Sequence, residues 1–102
     1  MASGKVAHGW LGIEGTDLSE SKSEVIGISG GAEVRRVMAG SPADRAGLLG
    51  GDVITELGPE RVRSSTDLVV ALRLHKPGEV VVIGYWRGGR RHEAEVTIDH
   101  AP

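Results

Sequence analysis

Three short segments organise this chain: Gly9-Trp10-Leu11-Gly12-Ile13, then Ser41-Pro42-Ala43-Asp44-Arg45-Ala46-Gly47-Leu48, then Gly51-Asp52-Val53-Ile54. The first opens a run to Leu18 that mixes glycine with alternating apolar residues, the pattern of a backbone loop leading into a strand. In the second, Ser41 is a helix N-cap, Pro42 suits the first helical position, Asp44 places an acid in the first turn and Gly47 ends the helix after about two turns. The third continues through Thr55-Glu56-Leu57 as an alternating strand, closed by the turn Gly58-Pro59.

Outward from these segments, Ser19 to Glu24 is wholly polar and reads as an exposed loop. Val25 to Ile28 and Ala32 to Met38 read as two strands of a hairpin around Gly30-Gly31. Ser64-Ser65-Thr66-Asp67 is a variant of the capping box, and Leu68, Val69, Ala71 and Leu72 recur behind it at helical spacing, so a helix is expected up to Pro77-Gly78. Val80 to Trp86 and Glu93 to Ile98 are strands joined through Arg87-Gly88-Gly89-Arg90, whose glycines can supply the positive φ of a two-residue turn. The expected product is a β-rich structure capped by two helices, with no internal repeat.

A chain of 102 residues suits one domain and can bury roughly 60–65% of its unfolded surface. Phe is absent and Trp10, Trp86 and Tyr85 are the only aromatic residues, so Leu, Ile, Val and Ala must build the core. A formal charge of -2 offers no electrostatic attraction to nucleic acid or to an anionic membrane surface. The apolar runs, such as Val80 to Ile83, are far shorter than the ~20 residues of a spanning helix, so no direct membrane insertion is expected. With no Cys, disulfides and thiolate metal sites are excluded.

With the three segments in this order, followed by a capped helix and a final hairpin, the chain resembles a bacterial PDZ domain. More narrowly, it is similar to the PDZ domains that follow the catalytic domain of HtrA/Deg-type, trypsin-like serine proteases. The resemblance spans residues 9–99, leaving 1–8 as a linker or cloning remnant and 100–102 as a tail. It implies an α+β fold: a five- to six-stranded, partly open barrel or sandwich capped by two helices, circularly permuted relative to most animal PDZ domains. It also implies a non-catalytic module that needs no cofactor or metal and regulates, or recruits substrate to, a separate protease domain. The expected partners are C-terminal peptides of unfolded or misassembled proteins and the protease domain of the parent chain. An extracytoplasmic location, periplasmic or on the cell surface, follows from the resemblance alone.

Physical chemistry supports this reading of the first segment. A glycine-containing loop ahead of an exposed strand can aim successive N–H groups at one carboxylate. Trp10, Leu11, Gly12 and Ile13 form the candidate carboxylate loop, with a Cβ at Gly12 expected to obstruct close backbone approach and with Leu11 and Ile13 turned toward the ligand's last residue. The bland alternative makes these four ordinary strand core. A ligand held there can add as a β-strand beside Ile13, Glu14, Gly15 and Thr16. On the following helix, Ser65, Val69 and Leu72 share one face and Leu68 and Ala71 the adjacent one. Spacing does not choose between the faces; the resemblance assigns the first three to the groove. Lys5 or Arg73 is a candidate basic residue near the carboxylate, against the simpler reading of two solvated charges. Ser65 stands where PDZ domains selecting Ser or Thr in the ligand carry His, so that preference is not transferred; a hydrophobic C-terminal residue is expected.

Other signals are weaker. Gly27-Ile28-Ser29-Gly30-Gly31 superficially resembles a trypsin-like nucleophile segment, and His8, Asp17 and Ser29 fall in chymotrypsin order. The 20 residues between His8 and Ser29 cannot build the scaffold such a triad needs, so a small hydrolase is the least favoured function. His8, His75, His92 and His100 lack the spacing of metal ligands. Lys76, Arg87, Arg90 and Arg91 form a basic cluster that reads as solvated surface, with docking of a partner domain as the sharper alternative. The main competing role is a docking or assembly domain of an HtrA, site-2 or Lon-like protease, its groove covered by a neighbouring domain.

Overall fold

A computed structural model describes residues 10–100. The element order is β1 (Ile13–Asp17), α1 (Glu20–Ile26), β2 (Ala32–Val37), α2 (Pro42–Arg45), β3 (Val53–Leu57), β4 (Glu60–Arg61), α3 (Ser65–Arg73), β5 (Val80–Arg87) and β6 (Arg90–Thr97). All pairings are antiparallel, in the order β1-β2-β3-β5-β6 with β4 attached to β3. This six-stranded α+β arrangement matches the expected strand count; the sheet stays open rather than closing into a barrel. Among the described residues β1 is therefore an edge strand, hydrogen-bonded to β2 alone.

Among the described residues three helices are present where two were expected. The polar segment after Ser19 is a helix because Ser19 Oγ accepts the Lys22 N–H and Gly27, in the left-handed region at φ 85°, donates its N–H to Ser23 O. No apolar stripe marks it, since α1 buries no residue. This corrects the hairpin reading: Val25 and Ile26 belong to α1, and β2 pairs instead with β1, from Ile13↔Val37 to Asp17↔Ala32, and on its other side with β3. The helix after Ser41 is one turn rather than two; Ser41 caps it by accepting the Asp44 N–H. At α3, Ser64 Oγ accepts the Asp67 N–H, while the Asp67 carboxylate reaches one residue further upstream, to the Arg63 N–H. The final hairpin closes as expected, Gly88 and Gly89 having φ of 62° and 75°.

The core lies between one face of the sheet and α2 and α3. Val34, Ile54, Leu57 and Ile83 from the strands meet Leu68 and Ala71 of α3 and Leu48 beyond α2. One buried charge ties the frame together: Asp52 is 2% exposed and accepts a two-pronged contact from Arg87 at 2.8 and 2.7 Å, plus the Leu49 N–H at 2.8 Å. The hydrogen bonds to Asp52 hold the Arg87 guanidinium above its ordinary pKa, against burial.

Candidate functional site

The free edge of β1 and the flank of α3 enclose a cleft of about 380 Å³. Trp10, Leu11, Gly12, Ile13 and Gly15 line the first side and Ser65, Thr66, Leu68, Val69, Leu72 and Arg73 the second. Every residue assigned from sequence to the carboxylate loop and to the groove helix thus lies on one cleft. Of the pairing strand, Ile13 and Gly15 line it, and Glu14 and Thr16 sit between them and beyond in β1. Thr66 and Leu68 also line the cleft and had not been singled out as groove residues.

The two faces of α3 are now distinguished by burial. Leu68 and Ala71 are 4% and 2% exposed, whereas Val69 is 49% exposed. Leu72 is half-buried, packed against the core and bordering the cleft. Helical periodicity permitted either division; packing against the sheet buries Leu68 and Ala71 and leaves Val69 exposed at the cleft, which Leu68 also borders.

The loop ahead of β1 is held on three sides. Trp10 N–H donates to Asp99 O, the Leu11 carbonyl accepts from Ala43 N–H, and the Gly12 carbonyl accepts from Met38 N–H. Among the described residues, the N–H groups of Leu11 and Gly12 donate to no backbone or side-chain acceptor. Because Gly12 faces β2 through its carbonyl, the antiparallel alternation turns the main-chain groups of Ile13 toward the free edge. The loop therefore sets at one end of a largely apolar cleft two residues whose N–H groups have no protein acceptor among the described residues.

Glycine is required at position 12 for a reason other than the expected one. Its φ is +85°, and a Cβ there would lie 2.1 Å from Ser41 Cβ and 2.6 Å from Ser41 Oγ. The obstruction falls on the cap of α2, behind the loop. Leu11 likewise differs from expectation: it is 1% exposed and is as much a core residue as a cleft residue.

At the other end of the cleft, Asp17 Oδ1 accepts both the Ser65 N–H, at 2.8 Å, and the Ser65 hydroxyl, at 2.9 Å. The backbone bond first, then the hydroxyl bond, hold the Asp17 carboxyl below its usual pKa despite slight desolvation. This contact joins residues 48 apart in sequence, and no local pattern announces it. Arg73 is exposed at the cleft and makes no ion pair among the described residues. Lys5 lies outside the described residues.

The remaining candidates disperse. His8 lies outside the described residues, and Asp17 is engaged by Ser65 rather than by a triad base. His75 sits between Glu60 and Glu79 at 2.7 and 2.8 Å. Among the described residues no group of three or more potential ligands is placed to hold a metal. Within the basic cluster, Arg87 pairs with Asp52 and Arg91 with Glu56 and Glu93.

Known proteins share this sequence pattern and fold. The model of the PDZ domain family matches residues 9–98. The serine protease Do-like HtrA of Lactococcus lactis subsp. lactis is 38% identical over 104 residues, covering 95% of this chain and 26% of the relative. The periplasmic pH-dependent serine endoprotease DegQ of Escherichia coli is 36% identical over 98 residues, covering 94% of this chain and 22% of the relative. The chain thus spans about a quarter of the length of these curated relatives. Among solved structures, the HtrA-type protease AlgW with decapeptide superposes with a TM-score of 0.84 at 28% identity, over 99% of this chain and 32% of that one. The HtrA3 PDZ domain bound to a phage-derived ligand shares the fold, with a TM-score of 0.75 at 22% identity over 91% of this chain and 86% of that one.

Proposed function

The chain belongs to the PDZ domain family, and we propose that it binds the hydrophobic C-termini of other polypeptides by seating the carboxylate on the Leu11–Gly12 loop and pairing the preceding residues with β1. As a PDZ domain it is a non-catalytic binding module, which removes the small-hydrolase reading. The binding unit in this reading is residues 9–99.

The observation that carries the proposal is the cleft itself: a strand edge and Leu11 and Gly12 N–H donors that have no partner among the described residues, and an apolar helix flank. A carboxylate is the group those donors suit, because charge-assisted hydrogen bonds are about twice as strong as neutral ones. Arg73, a cation at the cleft without an ion pair among the described residues, adds long-range attraction. Val69 and Leu72 offer the ligand's last side chain an apolar wall, and the edge of β1 offers main-chain pairing. AlgW, solved with a decapeptide, lends support to a peptide ligand. Affinity is of micromolar order, because one carboxylate and a short strand leave little surplus after the peptide is ordered.

In this reading the module serves a separate serine protease domain, recruiting substrates or reporting exposed C-termini of misassembled proteins. The support is that the relatives named above are serine proteases and this chain corresponds to a fraction of each. An extracytoplasmic setting is supported by the relatives named as periplasmic endoproteases; no helix among the described residues is long and apolar enough to cross a membrane.

The test is an amide-shift NMR titration with one hydrophobic C-terminal peptide, as free acid and as amide. Saturable shifts at residues 11–18 and 65–72, largely lost on amidation, are expected. Equal shifts for both forms would remove the carboxylate role of the loop. No shifts across several hydrophobic C-termini would transfer the assignment to an assembly domain.

A further inference from the structure

This inference rests on the groove reading above and concerns what the groove selects. Asp17 is the last residue of β1 and stands at the start of α3, where its Oδ1 receives both the N–H and the hydroxyl of Ser65. An ionised carboxylate accepts hydrogen bonds and donates none. The proton in the 2.9 Å contact is therefore that of Ser65. A serine hydroxyl has one proton, so what Ser65 presents to the cleft it lines is lone pairs only.

The position of a ligand residue facing Ser65 follows from the spacing of the two walls. A strand advances about 3.4 Å per residue, so side chains on one face recur every ~7 Å. Along α3 the rise is about 1.5 Å per residue, which places Ser65 some 6 Å from Val69 and about 10 Å from Leu72. A last residue seated against Leu72 and Val69, with its carboxylate at Leu11 and Gly12, puts the third residue from the end against Ser65.

We propose that Asp17 sets the polarity of this position: it holds the Ser65 hydroxyl as an acceptor, so the groove takes an apolar or hydrogen-bond-donating side chain at the third residue from the ligand's end and rejects an acidic one. Asp17 is in this sense a positioning residue acting through Ser65. Its charge works in the same direction, since no cation forms an ion pair with it among the described residues. A ligand carboxylate facing Ser65 would meet lone pairs with an anion behind them, and would gain no hydrogen bond from that hydroxyl in exchange for its lost water.

The experiment uses the 102-residue chain and three fluorescent peptides with the same hydrophobic C-terminus and free carboxylate, differing only in Ser, Ala or Glu at the third residue from the end. The native chain is expected to bind the Ser and Ala peptides with similar affinity and the Glu peptide about tenfold or more weakly. In Asp17→Ala the Ser65 proton is released to the cleft, and the Glu penalty is expected to shrink to about threefold or less. A purely structural role for Asp17 would weaken all three peptides by one factor and leave their ratios intact, which overturns the proposal. Equal binding of the Ala and Glu peptides by the native chain also overturns it, without recourse to any variant. Absence of binding by all three peptides would instead refute the groove reading, and this inference with it.

Discussion

Gly12→Ala tests whether the ligand-facing loop is locked against α2 from behind. The substitution places a methyl 2.1 Å from Ser41 Cβ and 2.6 Å from Ser41 Oγ, at a residue with φ +85°. The left-handed conformation costs an L-residue roughly 1–2 kcal/mol. Ordinary carbon contacts begin near 3.5 Å, so the loop or the cap must yield by well over 1 Å, and overpacking of this kind costs about 1–3 kcal/mol. The sum is about 2–5 kcal/mol, a large share of the stability of a small domain, and a fall of at least ~8 °C in Tm. Ser41→Gly removes both clashing atoms, and at an N-cap that change costs only about a few tenths of a kcal/mol. The double variant should therefore recover all but the ~1–2 kcal/mol of backbone strain. Urea denaturation of the four proteins gives the coupling directly. A Gly12→Ala cost below about 1 kcal/mol, or no recovery on adding Ser41→Gly, would show that the loop is not braced in this way.

Three further outcomes are expected. Val69→Lys, at a half-exposed position on the groove face, should change stability by no more than about 0.5 kcal/mol while weakening a hydrophobic C-terminal peptide about tenfold in anisotropy titrations; unchanged affinity would take Val69 out of the site. Arg87→Ala leaves Asp52 buried with only the Leu49 N–H and should cost about 2–4 kcal/mol, discounted for the partly exposed arginine; a loss under about 1 kcal/mol in urea would mean that water replaces the guanidinium. Burial favours neutral His75, but its hydrogen bonds to Glu79 and Glu60, with their charges, outweigh burial and raise its pKa above the 6.5 expected when unfolded. That contribution is full below about pH 6.5 and lost as pH rises through the folded-state pKa, so the urea midpoint should fall between pH 6 and 8.5 and flatten in His75→Gln. A midpoint that holds or rises across that range contradicts the assignment.

Much of the architecture was legible because its signals are local. Ser41, Pro42 and Gly47, or Ser64 with Leu68 and Ala71, report helix ends and periodicity within a few residues, and Gly88-Gly89 reports a turn. The order of the three opening segments was enough to name the family and to pick out the loop and the helix that line the cleft. What periodicity could not reveal was α1, whose polar residues carry a cap at Ser19 and a left-handed stop at Gly27 but no buried face. Nor could it tell which flank of α3 packs on the sheet, since Val69 and Leu68 differ only in what the sheet covers. The brace between Gly12 and Ser41 and the Asp17–Ser65 contact join residues 29 and 48 positions apart. Hydrogen bonding and steric exclusion act over a few ångströms in space whatever the separation along the chain, so these features exist only once the sheet and helices have been brought together.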